Sequence, residues 1–248
     1  MKEEKLDTKE ISTKNSKFLL WFDNFWYHYK WHTIVIAFIV IVLGISTVQA
    51  CTNQKVDVIF TYAGPKEFVT APEEKAAINS ALSNASKSVF GDKANSSLNS
   101  YLIYSKSQIE KIESELDENG NQKYTINTSF NTSQMNSFNE FSQAGASCIF
   151  LLDPSIYQSF IDESGNADRL MELSMVYGST PEGALDKYSV RLGDTKIYQT
   201  TPELRALPAD TIVCLHGKLI LSTSQKDYDM QVEVFKEFAT LGEITATE

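Results

Sequence analysis

The sequence predicts an α/β protein, with one mixed β-sheet covered by helices and preceded by an N-terminal transmembrane helix. Three observations predict this class. Residues 33–51 form a 19-residue run without a charge. Beyond that run, short apolar segments typical of strands alternate with segments of helical periodicity. The 197 residues after Cys51 are enough for one domain with a sizeable core.

The apolar run 33–51 predicts a transmembrane helix. A bilayer core of about 30 Å requires about 20 helical residues. A helix buried in a soluble core would carry a polar stripe, and residues 34–43 carry none. Residues 1–16 are polar, rich in lysine and glutamate and without apolar periodicity, and predict a disordered cytoplasmic tail.

Residues 17–32 are dominated by aromatic side chains. All three tryptophans of the protein, Trp21, Trp26 and Trp31, lie here. Such rings favour the headgroup layer of a membrane, where the ring is in an apolar environment and its N–H stays hydrated. We therefore expect an aromatic interfacial helix over 17–32 that serves as a membrane anchor; a long aromatic belt is an equally good interpretation.

Lysine bias predicts the orientation in the membrane. Six lysines precede the apolar run, whereas the next 20 residues contain only Lys55 and Lys66. We expect a single-pass protein of the cell membrane with residues 52–248 outside the cell. Val48-Gln49-Ala50-Cys51 is similar to a lipoprotein cleavage site, but the long tryptophan-rich segment before it favours an uncleaved signal-anchor.

The exported part is acidic, with 16 Lys and Arg against 27 Asp and Glu, a net charge of −11. Such a surface repels phosphate backbones, which argues against nucleic-acid binding. The membrane is the predicted partner, and an envelope protein or a small ligand is a further candidate.

Periodicity and turn residues predict the first half of the domain. We expect a strand at residues 55–62, a helix at 70–91 and a second strand at 99–106. Residues 109–116 are ambiguous between helix and strand, and a returning strand is expected at 124–127. Thr70 and Glu73 predict a capping box for the helix. Residues 117–121 form a turn; a calcium loop is disfavoured because Gly120 stands fourth in it, not sixth.

The second half follows the same logic. We expect helices at 132–143, 155–161 and 169–173 and a final helix from Ser224 to Gly242. Strands are expected at 148–152, 188–192, 196–198 and 211–215. Cys148 and Cys214 lie in the strand-like runs and predict buried thiols; a disulfide between them would require adjacent strands. His216 is the one exported histidine, which disfavours a catalytic cysteine.

No motif for a catalytic site, cofactor or metal ion is found in the sequence. Ligands of α/β sheets bind beyond the carboxyl ends of strands, so Tyr62, Gly64, Asp153 and Asp194 are the predicted ligand-binding residues. A cell-envelope enzyme would need Asp153 or Asp194 as its general acid or base. Both are more simply explained as turn residues.

Residues 141–152 (FSQAGASCIFLL), with Arg169–Leu173 (RLMEL) and Tyr188–Leu192 (YSVRL), resemble the first lobe of bacterial extracellular solute-binding proteins. The resemblance covers about half of the exported part. Cys148 stands where that family usually has an aspartate, and the chain has room for one lobe. The aromatic anchor also resembles a type found in membrane proteins of low-GC Gram-positive bacteria.

The resemblance implies a membrane-tethered extracytoplasmic binding module that engages a protein partner or a small ligand. Two alternatives stay open: a cell-envelope enzyme, and a structural subunit of a membrane complex held through its aromatic helix.

Overall fold

A computed structural model describes residues 17–52, 56–68, 70–145, 147–167, 169–218 and 224–242. The chain divides into two compact units, Met1–Gln54 and Lys55–Glu248. The expected disordered tail 1–16 lies outside the described residues.

The first unit contains helix α1, Lys17–Thr52, which is continuous. Its segment Asn24–Val48 is long and apolar enough to cross a membrane, by length and composition. At 1.5 Å per residue, the 36 residues of α1 extend about 54 Å, against a bilayer core of about 30 Å. The aromatic segment 17–32 and the apolar run 33–51 are therefore parts of one helix that is compatible with a membrane anchor.

Aromatic rings stack along α1 at a spacing of four residues. Trp21 lies 5.6 Å from Phe25 and Phe25 lies 5.4 Å from Tyr29, measured between ring centroids. Phe22 and Trp26 form a second stack at 6.1 Å. Residues four apart share a helix face, so the sequence spacing itself creates these stacks.

The second unit is built on a five-stranded mixed sheet with strand order β2-β1-β3-β5-β4. Its strands are β1 (Val58–Gly64), β2 (Ser96–Leu102), β3 (Ile149–Leu152), β4 (Ser189–Arg191) and β5 (Ile212–Leu215). β1 pairs in parallel with β2 and β3, and β5 pairs antiparallel with β3 and β4. The predicted mixed α/β sheet is confirmed.

Helices connect the strands. They are α2 (Pro72–Ala85), α3 (Lys87–Phe90), α4 (Lys106–Glu113), α5 (Thr128–Ala144), α6 (Pro154–Gln158), α7 (Leu173–Tyr177), α8 (Lys196–Thr200) and α9 (Gln225–Phe238). Two short 3₁₀-helices cover Leu192–Asp194 and Pro202–Ala206. The segment that was ambiguous in the sequence is helical because Ser105 and Gln108 form a reciprocal capping box at the start of α4.

The sheet separates two hydrophobic clusters, as alternation along its strands requires. Phe60 and Tyr62 of β1 pack with side chains of α2, α7 and α9 on one face. Phe150 and Leu152 of β3 pack with side chains of α5 and α6 on the other face. The domain is therefore a three-layer arrangement with helices on both faces of the sheet.

Several local expectations were wrong, each for a local reason. Thr70 does not cap α2, whose N-cap is Ala71. Pro72 follows at the start of the helix, where the N–H that proline lacks would have had no partner within the helix. Residues 196–198 are helical, not extended, because the Thr195 hydroxyl caps α8.

Three further boundaries also differ. Residues 124–127 form no strand; Asn127 is instead the N-cap of α5. Residues 169–172 are not helical, and Leu170 pairs with His216 as an isolated bridge before α7 begins. The final helix ends at Phe238, ahead of Gly242, whose N–H donates to the Asp194 carbonyl at 2.9 Å.

Candidate functional site

Three of the four predicted ligand residues meet at one edge of the sheet. Tyr62 and Gly64 end β1, and Asp153 directly follows β3, the parallel neighbour of β1. β2 lies on one side of β1 and β3 on the other, so this edge is a topological switch point.

Gly64 allows these three residues to pack closely. A Cβ at Gly64 would lie 2.6 Å from the Tyr62 hydroxyl and 3.0 Å from the Cβ of Asp153. The Tyr62 hydroxyl accepts a hydrogen bond from the Lys66 N–H at 3.2 Å. The Asp153 N–H donates to the Ala63 carbonyl at 2.8 Å, which joins the two strand ends.

Tyr62 is 1% exposed and Gly64 is buried. Burial raises the pKa of the Tyr62 phenol, and the nearby carboxylates of Asp153 and Asp210 raise it further, so the hydroxyl stays protonated at neutral pH. The hydroxyl therefore contributes packing and a hydrogen bond to this edge.

Asp153 is half-buried and both of its carboxylate oxygens are engaged. Oδ1 accepts from the Ser155 N–H and the Ser155 hydroxyl, and Oδ2 accepts from the Gln108 side chain at 3.1 Å. Asp153 is also the N-cap of α6. These bonds hold the carboxylate in place and tie α4 and α6 to the sheet edge.

Asp194 lies elsewhere along the same edge. It is exposed in the 3₁₀-helix after β4, and β5 separates β4 from β3 in the sheet. The structure thus brings Tyr62, Gly64 and Asp153 together and leaves Asp194 apart. A ligand-binding role for these four residues stays a prediction.

A cavity of about 330 Å³ lies on the side of the domain where α5 and the segment after α6 meet. We call it the Arg169 cavity. Polar side chains and one aromatic ring form most of its lining: Asn139, Ser159, Phe160, Ile161, Asp162, Asn166 and Arg169.

The aromatic wall of the Arg169 cavity is fixed by the core. The Phe160 ring lies 6.1 Å from Phe138 of α5 and 6.3 Å from Phe150 of β3, between ring centroids. Both partners are fully buried. The Phe160 ring is therefore held by the cluster on that face of the sheet.

The turn Asp162–Asn166 (DESGN) forms another wall. The Asp162 N–H donates to the Asn166 carbonyl at 2.9 Å, and Asp162 Oδ1 accepts from the N–H groups of Ser164 and Asn166. Gly165 has φ 73°, a left-handed conformation that favours glycine. Asn166 Oδ1 in turn accepts from Lys187 Nζ at 2.9 Å.

The same turn occurs earlier in the chain at Asp117–Asn121 (DENGN). The Asp117 N–H donates to the Asn121 carbonyl at 2.8 Å, Asp117 Oδ1 accepts from the N–H groups of Asn119 and Asn121, and Gly120 has φ 80°. The predicted turn at 117–121 is confirmed. Its N–H donors lower the pKa of the Asp117 carboxyl.

Among the described residues that line the cavity, Arg169 carries the positive charge. Its backbone is fixed, because the Gly217 N–H donates to the Arg169 carbonyl at 2.7 Å and the next residue, Leu170, pairs with His216. Within the described residues its guanidinium forms no ion pair or hydrogen bond to a carboxylate. The charge is permanent at physiological pH.

The neighbouring His216 is neutral. Its Nδ1 lies 2.7 Å from the Gly217 carbonyl, which can only accept, so Nδ1 carries the proton. Burial lowers the pKa of His216, and the Arg169 charge lowers it further, against the effect of the Gly217 hydrogen bond. His216 is 2% exposed, and its Nε2 has no hydrogen-bond partner in the described part of the chain.

A second cavity of about 420 Å³ lies between α2 and the 197–203 region. Small side chains of α2, such as Ala77, Ala81 and Ala85, form much of its lining, with Glu203 as its charged residue. It offers a ligand fewer oriented polar groups than the Arg169 cavity does.

The two buried cysteines are both free thiols. Burial raises the pKa of Cys148 to about 12, and burial also raises the pKa of Cys214. Neither thiol ionises at neutral pH, so neither is a nucleophile in the folded domain. The side chain of Cys51 lies outside those that the structure describes.

Sequence reasoning missed the Arg169 cavity, because its lining residues lie far apart in the chain. Two signals pointed to it. The pentapeptide D-E-x-G-N occurs twice, at 117–121 and 162–166, and Arg169 follows the second copy by three residues. Among the described residues, no group of three or more His, Cys, Asp or Glu is placed to hold a metal ion.

Comparison of the chain with protein-family models, curated proteins and solved structures finds no match.

Proposed function

We propose that this protein is a membrane-tethered binding module whose α/β domain takes a small polar ligand in the Arg169 cavity. The observation that carries the proposal is the cavity itself. It combines a guanidinium that has no ion-pair partner among the described residues with polar groups and one fixed aromatic ring. A few oriented polar groups beside an aromatic wall are typical of small-molecule sites.

Other features support the tethering. α1 is long and apolar enough for a membrane span, and the lysine bias around it favours a cytoplasmic N-terminus and an extracellular domain. The uncleaved signal-anchor and the resemblance to one lobe of extracellular solute-binding proteins belong to the same proposal.

The enzyme alternative has less support. Asp153 is held by hydrogen bonds on both oxygens and caps α6, which is the behaviour of a positioning residue. Asp194 is exposed at the end of a 3₁₀-helix, where its carbonyl accepts from Gly242. Neither arrangement offers a paired acid and base.

Thermal unfolding of the full chain in detergent, measured across a panel of small polar metabolites, tests the proposal. A ligand raises the melting temperature because it stabilises the state that it binds. Arg169→Gln should remove the rise, and Arg205→Gln, a change at another exposed arginine, should preserve it. No rise with any compound, together with an envelope protein that co-purifies with the chain, would favour a protein partner instead.

A further inference from the structure

The described residues that line the Arg169 cavity carry charges of both signs. The guanidinium of Arg169 is one, and the carboxylate of Asp162 is the other. Asp162 Oδ1 is occupied by the N–H groups of its own turn. Its Oδ2 is left without a hydrogen bond from any described residue.

Each charge selects one chemical group. The planar fork of a guanidinium matches a carboxylate through two parallel hydrogen bonds. A carboxylate oxygen accepts from an ammonium group, which carries three donors. A ligand with only a carboxylate would leave Asp162 unpaired and facing a like charge, and a phosphate would be repelled more strongly.

We propose that the Arg169 cavity binds a small zwitterion of the α-amino acid type, with its carboxylate on Arg169 and its ammonium group on Asp162. The inference rests on the proposed function and names its ligand class. Asn166 also lines the cavity, and because its Oδ1 already accepts from Lys187, its amide N–H groups are what it has left to offer a ligand. The Phe160 ring provides an apolar contact for the ligand side chain.

The size of the cavity agrees with this class. About 330 Å³ lies at the lower end of the range for small-molecule sites, roughly 300–1,000 Å³. A free amino acid fits such a volume.

Calorimetric titration of the full chain in detergent with each of the twenty common L-amino acids tests the proposal. At least one should bind saturably. The best binder is then compared with two truncated probes, its deaminated carboxylic acid and its decarboxylated amine. Each truncated probe should bind at least about tenfold more weakly, because one charged hydrogen-bonded contact is lost.

Two variants assign the two groups of the ligand. Arg169→Gln should weaken the amino acid at least about tenfold while leaving the affinity for the decarboxylated amine unchanged. Asp162→Asn keeps a side-chain oxygen for the turn but removes the charge. It should weaken the amino acid without weakening the deaminated acid. Arg205→Gln is the matched control and should change neither affinity.

The outcomes separate this inference from the proposed function. If no amino acid binds but another metabolite does, and Arg169→Gln removes that binding, the assignment of a zwitterionic ligand is wrong and the proposed binding function is retained. If an amino acid binds equally well to Arg169→Gln and the unchanged chain, the site assignment is overturned. If no compound of either panel binds, both proposals fail.

Discussion

Cys148 directly precedes β3 and Cys214 lies in β5, the antiparallel neighbour of β3, and their side chains pack on opposite faces of the sheet. His216 and Cys148 are joined by a 2.7 Å backbone hydrogen bond, and Cys214 is paired with Phe150. The Cys148 thiol donates to Gln231 of α9, whereas Cys214 belongs to the cluster under α5. Neighbouring strands are therefore not sufficient for a disulfide, because the thiols must also face each other.

This geometry predicts two free thiols that are protected by the fold. In a Cys51→Ser chain prepared without reductant, Cys148 and Cys214 should resist alkylation in the folded state, because both thiols are buried and protonated. Denaturation should expose both. Mass spectrometry after each treatment counts the added groups. A denatured, unreduced chain that takes up none would indicate a disulfide.

His216 predicts a pH dependence of stability. Its pKa in the folded state is lowered by burial, so below the unfolded-state value of about 6.5 the unfolded chain binds more protons than the folded one. Stability should therefore fall as pH drops below about 6.5 and continue to fall until the folded-state pKa is passed, by at most about 1.4 kcal/mol per pH unit.

Chemical denaturation between pH 7.5 and 5 measures this slope. His216→Asn can still donate to the Gly217 carbonyl but does not titrate, so its slope over this range should be smaller. The other histidines, His28 and His32, lie in α1. An unchanged slope in His216→Asn would assign the pH dependence to other groups.

Gly64→Ala should destabilise the domain by about 1–3 kcal/mol, because its Cβ would overlap the Tyr62 hydroxyl and crowd Asp153. Gly217→Ala is the matched control: its Cβ would meet the Arg169 carbonyl at 3.5 Å, an ordinary contact. Adding Tyr62→Phe to Gly64→Ala should recover part of the loss. Urea denaturation measures all three, and an unaffected Gly64→Ala would show that the strand edge relaxes freely.

Phe238 of α9 is fully buried, and its ring lies 5.0 Å from Phe60 of β1, between centroids. Phe238→Ala should cost about 3–5 kcal/mol of unfolding free energy, since it leaves a cavity in the core. Lys226→Ala, at an exposed position of the same helix, should change stability little. Equal midpoints for the two variants would mean that α9 is not part of the core.

The orientation of α1 can be tested with a reporter fused after Glu248. Because lysines are concentrated before the apolar run, an enzyme that is active only outside the cell should be active in this fusion. A reporter that works only in the cytoplasm serves as the reciprocal fusion. Activity of that second reporter would reverse the proposed topology.

The sequence alone predicted the elements whose burial is encoded locally. β3 and β5 are short apolar runs that are buried along their whole length, and α5 and α9 carry apolar side chains at helical spacing. The cluster of Tyr62, Gly64 and Asp153 at one edge also followed from a general rule about strand ends.

What the sequence could not predict depends on contacts between distant residues. The position of β5 between β3 and β4 decides that Asp194 lies apart from Asp153, and no local pattern encodes this order. The Arg169 cavity requires Asn139 of α5 to meet a segment about 20 to 30 residues further along the chain. Other wrong assignments of secondary structure came from local capping, as at Thr195, where one hydroxyl favours a helix over a strand.

The two D-E-x-G-N turns have one further consequence. Their hydrogen bonds are internal to five residues, and the copy at Asp117–Asn121 adopts the same geometry at an exposed position. The pentapeptide sequence therefore favours this turn geometry in two different settings. The wall at Asp162–Asn166 is in that sense preorganised, so the binding free energy of a ligand that contacts it is not reduced by the entropic cost of ordering a loop.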